Sequence, residues 1–568
     1  MKSLDWVVLI VTLSGIILYG IYKSRTTRDL DGYFLSNRSM PWYLILLSIM
    51  GTQASAITFL AAPGQAYTDG MRFVQYYFGL PLAAIVICIS FVPVFSRLKV
   101  FTAYEYLEQR FDLKTRTFTS FLFLLQRGLS TGISIYAPSI ILSVLLGWNI
   151  YLTNLFMGGL LIIYTVTGGA RAVAYTQTFQ FVIIMGAMFI AGYFIVKDLP
   201  PGIGFTDALR VGGKLGKMNV ITTGFTDKGF DWGDRYNIFS GMIGGFFLLL
   251  SYFGTDQSQV GRYLTARSLK ESRLGLLMNG MVKVPMQFLI LLIGVLVFAF
   301  YQFNKAPAFF NELELKRLEQ SVYGDSLKHL KQELYSIQQR KDAALALYPA
   351  QQDAAFQQLQ LLQGETEAVR AQIKGLVKKN GGADNDTNYI FLHFVVDYLP
   401  VGLVGLIIAI IFLASWGSIA AALNSLASST VIDFHKRFSS KGHGGEKDYQ
   451  VSKKYTLLWG LFCMAVAMFV SNWGNSLIEV VNVLGSLFYG TILGIFLVAF
   501  YSKRIGGNAV FWAALMAEVI VVVLFFLNEY KIISLGFLWL NAIGALLVWG
   551  IGGVLQWILP AKTAAARQ

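Results

Sequence analysis

Apolar stretches long enough to cross a bilayer recur from one end of this 568-residue chain to the other, separated by short polar breaks. A membrane-crossing helix needs about 20 mostly apolar residues. About thirteen such runs fit the sequence: 4–22, 41–66, 73–96, 117–146, 150–168, 176–196, 237–256, 275–303, 400–432, 455–472, 475–501, 507–528 and 533–558. They are continuous and do not alternate with period two, so they predict helices and not the strands of a barrel. The first run lacks a strong basic stretch before it and an A-x-A-like cleavage site, and Lys23 and Arg25 follow it. It therefore predicts a retained span and not a signal peptide.

Two spans interrupt their own apolar pattern. The second reads Ser48-Ile-Met-Gly-Thr-Gln-Ala-Ser-Ala-Ile-Thr58 before Pro63-Gly64, and the ninth is equally small and hydroxyl-rich from Leu413 to Thr430. Such stretches have two explanations in lipid. Small residues let helices pack closely while hydroxyls bond between them; alternatively, an unwound stretch offers carbonyls and hydroxyls as an oxygen cage for a cation. Composition alone favours close packing.

Two connecting segments are long. Residues 197–236 form a loop containing Gly and Asp, whereas 308–378 are charged and rich in Leu, Gln, Glu and Lys. Leu313, Leu315, Leu318, Leu327, Leu330 and Leu334 recur at roughly helical spacing, as do Leu359, Leu361, Leu362 and Ile373, and Tyr348-Pro349 supplies a break. The pattern predicts an extracytoplasmic helical hairpin, either a solvated spacer or a docking surface for an extracytoplasmic partner.

Composition agrees with a membrane protein: 55% of residues are hydrophobic and 14% charged, with a mean hydropathy of +0.56. The net charge of +14 does not point to nucleic acid, because no basic patch interleaves with aromatics. Lys and Arg instead fall on alternate loops, 23–40, 97–116, 169–175, 257–274, 433–454 and 502–506, and on the C-terminal tail, while the short loops between carry little beyond Arg72 and Lys531. The positive-inside rule then places the N-terminus outside and the C-terminus in the cytoplasm, in a multi-pass protein surrounded by lipid of the cell inner (plasma) membrane. Cys88 and Cys463 each lie within an apolar run, which predicts neither a disulfide nor a metal site.

Several segments carry a resemblance: TFLAAPGQAYTDG at 58–70, TAYEYLEQRF at 102–111, YAPSIIL at 136–142, TGGARAVAYTQTFQ at 167–180, YFGTDQSQVGRYLTARS at 252–268, KVPMQFLIL at 283–291 and ALNSLASSTVIDFHKR at 422–437. Together with Phe34-Leu35 through Arg38, and in this order, they resemble the sodium:solute symporter family, which includes sodium-coupled transporters of sugars, proline, sialic acid, pantothenate and monocarboxylates. The resemblance covers nearly the whole chain apart from 308–378. It implies an all-α membrane protein with a LeuT-type core of two inverted five-helix repeats. Residues 1–40 would be an extra N-terminal span and inner loop, and 41–200 the first repeat, spans two to six. The second repeat, spans seven to eleven, would occupy 237–303 and 389–501. The inserted hairpin would take 304–388, leaving two spans and a basic tail in 502–568. Discontinuous helices near the bilayer midplane, here the second and ninth spans, would expose the binding groups.

The resemblance also assigns residues. A sodium ion, the coupling ion, would be held by Gly51 and Ala54 on the second span and by Ala414, Gly417 and Ser418 on the ninth, a set of hard oxygen donors. Many relatives carry two hydroxyls where this chain has Gly417-Ser418. A second sodium in some relatives needs an Asp where this chain has Gln177, and hydroxyls where it has Ala420 and Ala421, so one ion per cycle is expected. Gln53, Ser55, Thr58, Tyr76, Tyr77, Tyr252 and Asn482 match positions lining the solute cavity of sugar-transporting relatives. Tyr77 stands where such relatives often place a Glu, which disfavours a simple hexose.

Charges inside spans are costly and usually functional. Arg127 lies about ten residues into the fourth span; it is either a guanidinium for a solute carboxylate or a structural group reaching a carbonyl, Glu105 or Asp112. Lys283, within the KVPMQF motif, reads as structural. Glu479, one turn before Asn482, meets either the solute or a helix end. The leading reading is a sodium-coupled symporter of a small organic solute. Its rivals are a solute sensor or receptor on the same scaffold, and a proton-coupled or sugar-type symporter. An enzyme is not expected, since His329, His393, His435 and His443 have no metal-ligand spacing and no nucleophile triad or P-loop appears.

Overall fold

Each of the apolar runs falls on helix in the computed structural model, which describes residues 1–24, 38–346, 352–438, 445–470 and 476–559. Among the described residues, eight helices are long and apolar enough to cross a membrane, or nine if the bent pair Trp42–Gln53 and Ile57–Asp69 forms one span. The other runs lie on the shorter apolar helices Ser3–Ile16, Ile150–Val166 and Ser240–Gly254, and on Gly445–Ala467, whose first turns are rich in charge.

Three features differ from expectation. The inner loop expected at 169–175 lies within one uninterrupted helix, Ile150–Lys197, a stretch with no proline to stop it. The seventh span ends at Gly254, close to its expected end, but the loop expected at 257–274 opens with a short helix, Gln257–Tyr263, whose N-cap Asp256 accepts the Ser258 N–H at 2.8 Å. The ninth span, expected to be discontinuous, is helical without a break from Leu403 to Ser429. Its hydroxyls return to their own backbone, Ser418 to the Ser415 carbonyl (2.9 Å) and Ser425 to that of Ala421 (2.8 Å), so they do not unwind it.

The second span does break. Trp42–Gln53 ends at Ala54, whose backbone (φ −79°, ψ 67°) is not helical, and the chain resumes at a 64° bend. The segment after the bend is clamped backbone to backbone. A methyl on Gly64 would overlap the Thr387 carbonyl, and one on Gly294 would overlap that of Pro63, so only glycine allows these approaches.

The basic loops gather at one end of the molecule. Arg38 donates to the Lys99 carbonyl (2.9 Å), Arg110 to that of Ser502 (2.8 Å), and the Met40 and Thr265 backbones meet. At this end Arg116, 1% exposed, binds Asp433 at 2.6 Å, and Thr102 and Ser120 donate to the same carboxylate. The long segments gather at the other end: Lys217 donates to the Thr68 carbonyl (2.6 Å), Arg72 pairs with Asp234 (3.0 Å) and Gly536 N–H reaches Trp232.

The hairpin takes the expected form. Gly324–Ala346 and Gln352–Lys379 pack antiparallel, with Arg340 against Glu365 and Leu327, Leu330, Ile337, Leu359, Leu362 and Ile373 buried. Leu361 departs from the pattern and is exposed. The expected break at Tyr348-Pro349 lies outside the described residues. Arg370 and Lys374 anchor the hairpin to Asp386 at 2.7 and 3.0 Å.

Candidate functional site

The break in the second span leaves backbone acceptors without helical donors. Ala54 N–H bonds to Met50 and Ser55 N–H to Gln53, and among the described residues no backbone N–H donates to the Gly51 or Ala54 carbonyl. These are the acceptors a cation needs. The ninth span runs beside them, and Gln177 joins the two. Its Nε2 donates to the Gly417 carbonyl (3.0 Å) and to Thr52 Oγ1 (3.3 Å), and its Oε1 accepts from the Ser48 hydroxyl (3.2 Å). Of the five expected sodium residues, Gly51 and Gly417 therefore face each other across one side chain, and the ninth-span members sit in regular helix. Among the described residues no cluster of His, Cys, Asp and Glu could hold a metal; the donors at this place are carbonyls and a hydroxyl, the hard, neutral set that suits an alkali ion.

Gln177 also explains why Gly stands at 417. A methyl there would meet Gln180 Oε1 at 2.8 Å and Gln177 Cγ at 3.0 Å, and one at Gly51 would meet Gln177 Cβ at 2.8 Å. The amide fills the space that a hydroxyl at 417 would need.

All eight expected solute residues, Gln53, Ser55, Thr58, Tyr76, Tyr77, Arg127, Tyr252 and Asn482, line one cavity of about 130 Å³ beside the break, together with Ser418. That volume holds roughly four waters and lies below the usual range for a ligand pocket, about 300–1,000 Å³, so the walls are drawn in around the site. Thr58 Oγ1 bonds the Gln53 carbonyl (3.0 Å), and Gln53 Nε2 reaches Asn279 Oδ1 (3.2 Å). The Tyr76 and Tyr77 rings pack edge to face at 4.5 Å. Asn482 Nδ2 is buried and has no protein partner, which leaves a donor for a solute.

Arg127 meets neither Glu105 nor Asp112. It is ion-paired with Asp256, the N-cap of Gln257–Tyr263, donates to the Tyr489 hydroxyl (3.1 Å) and lies 5.4 Å over the Tyr252 ring; Tyr489 donates to the same Asp256 carboxylate at 2.7 Å. Asp256 went unnoticed in the sequence because its partner is 129 positions away. Lys283 differs from its structural reading. It is 2% exposed, lines the cavity and sits 5.4 Å over the Tyr77 ring, and among the described residues no carboxylate is paired to it. A charge within an apolar span was the signal for it. Glu479 resolves to the helix end: it is ion-paired with Arg235 and does not line the cavity.

The model of the sodium:solute symporter family matches residues 33–313 and 368–517, which leaves out most of the hairpin. A sodium/sialic acid symporter of Proteus mirabilis is 26% identical over 89% of this chain and 86% of its own. A sodium-dependent multivitamin transporter of Oryctolagus cuniculus is 26% identical over 87% of this chain and 65% of its own. A substrate-bound, outward-open structure of a Na⁺-coupled sialic acid symporter superposes with a TM-score of 0.75 at 23% identity, covering 98% of both chains.

Proposed function

This chain belongs to the sodium:solute symporter family, as a sodium-coupled multi-pass transporter of LeuT-type fold and not an enzyme, and from that premise we propose that it carries one sodium ion with one carboxylate-bearing organic solute per cycle. The reading rests above all on the single cavity that joins the break, Ser418 and the eight solute residues.

Sodium is assigned to the Gly51 and Ala54 carbonyls together with Ala414, Gly417 and Ser418. A single ion follows from Gln177, which presents an N–H donor to Gly417 where a second cation would need an acceptor, and from Ala420 and Ala421, which offer no hydroxyl. The two cations on the cavity wall support an anionic solute. Among the described residues Lys283 has no carboxylate partner, and Arg127 can exchange Asp256 for a solute carboxylate, since both are planar acceptors for its fork. Occupancy of both sites then favours the conformations in which they can pass between the two faces, in proportion to the difference in affinity of each ligand for the two states.

The basic loops are assigned to the cytoplasm, with the N-terminus outside, the hairpin extracytoplasmic and the protein in the cell inner membrane. Counterflow of a labelled panel of acids and neutral sugars into proteoliposomes, with sodium, potassium or protons as the sole gradient, tests the whole reading. Sodium-driven uptake of an acid, with a sodium Hill coefficient near one, is expected. Uptake indifferent to sodium would overturn the ion assignment. Acid uptake unaltered in both Lys283→Met and Arg127→Ala would overturn the carboxylate.

A further inference from the structure

Between the hairpin and the core lies a recess of about 550 Å³, well inside the range of ligand pockets. One wall is the hairpin; the other is Tyr67 and Thr68 of the segment after the break, with Phe298 and Tyr301 of the eighth span. Six cations line it against two carboxylates, Glu367 and Asp386. Asp386 is already committed to Arg370 and Lys374, and Lys331 pairs outside the lining with Glu319. Glu367 accepts from Gln363 Nε2 at 3.0 Å. Among the described residues, Lys217, Lys305 and Lys341 have no carboxylate within ion-pair distance.

Lys341 is the decisive one. It is 2% exposed, and among the described residues its ammonium donates only to two neutral amide oxygens, Gln302 Oε1 (3.0 Å) and Gln363 Oε1 (2.8 Å). An ammonium carries three donors, and a buried charge without counter-charge is costly. Packing alone would be served by Leu or Met at that position without the charge. We propose that this recess is a binding site for a small organic carboxylate with an apolar body, separate from the solute cavity. Its carboxylate is taken by Lys341, and its body lies against Phe298, Tyr301, Leu315 and Leu334, which share the lining. Bound there, such a ligand touches both the hairpin and the segment after the break, so it couples to the ion site by binding energy that differs between conformations. The site does not depend on which solute is transported.

Calorimetry on the full chain in detergent and sodium-free buffer tests it, with 3-phenylpropionate, 3-phenylpropionamide and inorganic phosphate as probes. The acid is expected to bind saturably and the amide at least tenfold more weakly. Lys341→Met should weaken the acid at least tenfold, whereas Lys283→Met in the solute cavity should leave it unchanged. The Lys217→Gln/Lys305→Gln pair, further from the buried ammonium, should cost at least threefold, and this variant carries the test if Lys341→Met does not fold. No binding by the unmodified chain, equal binding of acid and amide, phosphate binding as tightly as the acid, or indifference to these substitutions would overturn the site.

Discussion

Gln177 sits between two glycines, Gly51 and Gly417, each of which would collide with it if it carried a methyl group. The three positions are therefore coupled, and a side chain at 417 requires the Gln177 and Gln180 side chains to give way. Ser418 is then the sole hydroxyl among the proposed sodium residues. Ser418→Ala should raise the sodium concentration for half-maximal uptake about tenfold, one ligand being worth roughly 1.4 kcal/mol, with maximal uptake preserved; sodium titration of uptake checks this. Arg127→Ala should destabilise the protein by about 3–5 kcal/mol, because it strands the buried Asp256. Arg127→Ala/Asp256→Asn should recover most of that in a thermal melt. Motif matching gave seven of the residues that line the cavity, because a motif fixes its own register, and a charge inside an apolar span gave the eighth, Arg127. It could not supply Asp256 to Arg127 or Arg235 to Glu479, since such pairs are made by packing between distant segments.

Small residues in a membrane helix are ambiguous, and the two unusual spans divide between the two meanings. In the second the backbone opens at Ala54; in the ninth, Gly417, Ala420 and Ala421 stay helical and buried. The short helix that follows the seventh span, Gln257–Tyr263, has only its N-cap residue Asp256 to announce it within the expected loop. The hairpin was legible because a leucine repeat in charged surroundings has few other uses, but its docking onto the core was not. Burial pushes the Lys341 ammonium down to about 8; Glu367 and Asp342 oppose the shift, and Arg370 adds to it. A depressed lysine is neutral in the fold while still charged in the unfolded chain, so hairpin stability should rise as pH increases from about 8 toward 10.5 and stay flat just below 8. Hydrogen exchange of the hairpin amides across that range tests the direction.

Across the whole molecule, the charge bias of the loops read from sequence corresponds to a physical end, where those loops bond to one another. Its deepest element is the Asp433 carboxylate, fully buried among Arg116, Thr102 and Ser120. Asp433→Asn removes the ion pair and leaves Arg116 without its buried partner, so conformations open on the basic face should become more populated. Maleimide labelling of a cysteine introduced at the buried neighbour by Ala103→Cys should be accelerated at least tenfold; an unchanged rate would show that this network does not hold the face shut.

At the opposite face, Gly64 lies directly on the backbone of Thr387, with no side chain between to cushion relative movement. Thr387 directly follows Asp386, the hairpin's anchor. The hairpin is thus a handle on the half-helix that begins at the proposed sodium carbonyls: a clamp fastened to it, such as an antibody fragment, is expected to act as a brake on sodium release from the far end of that half-helix.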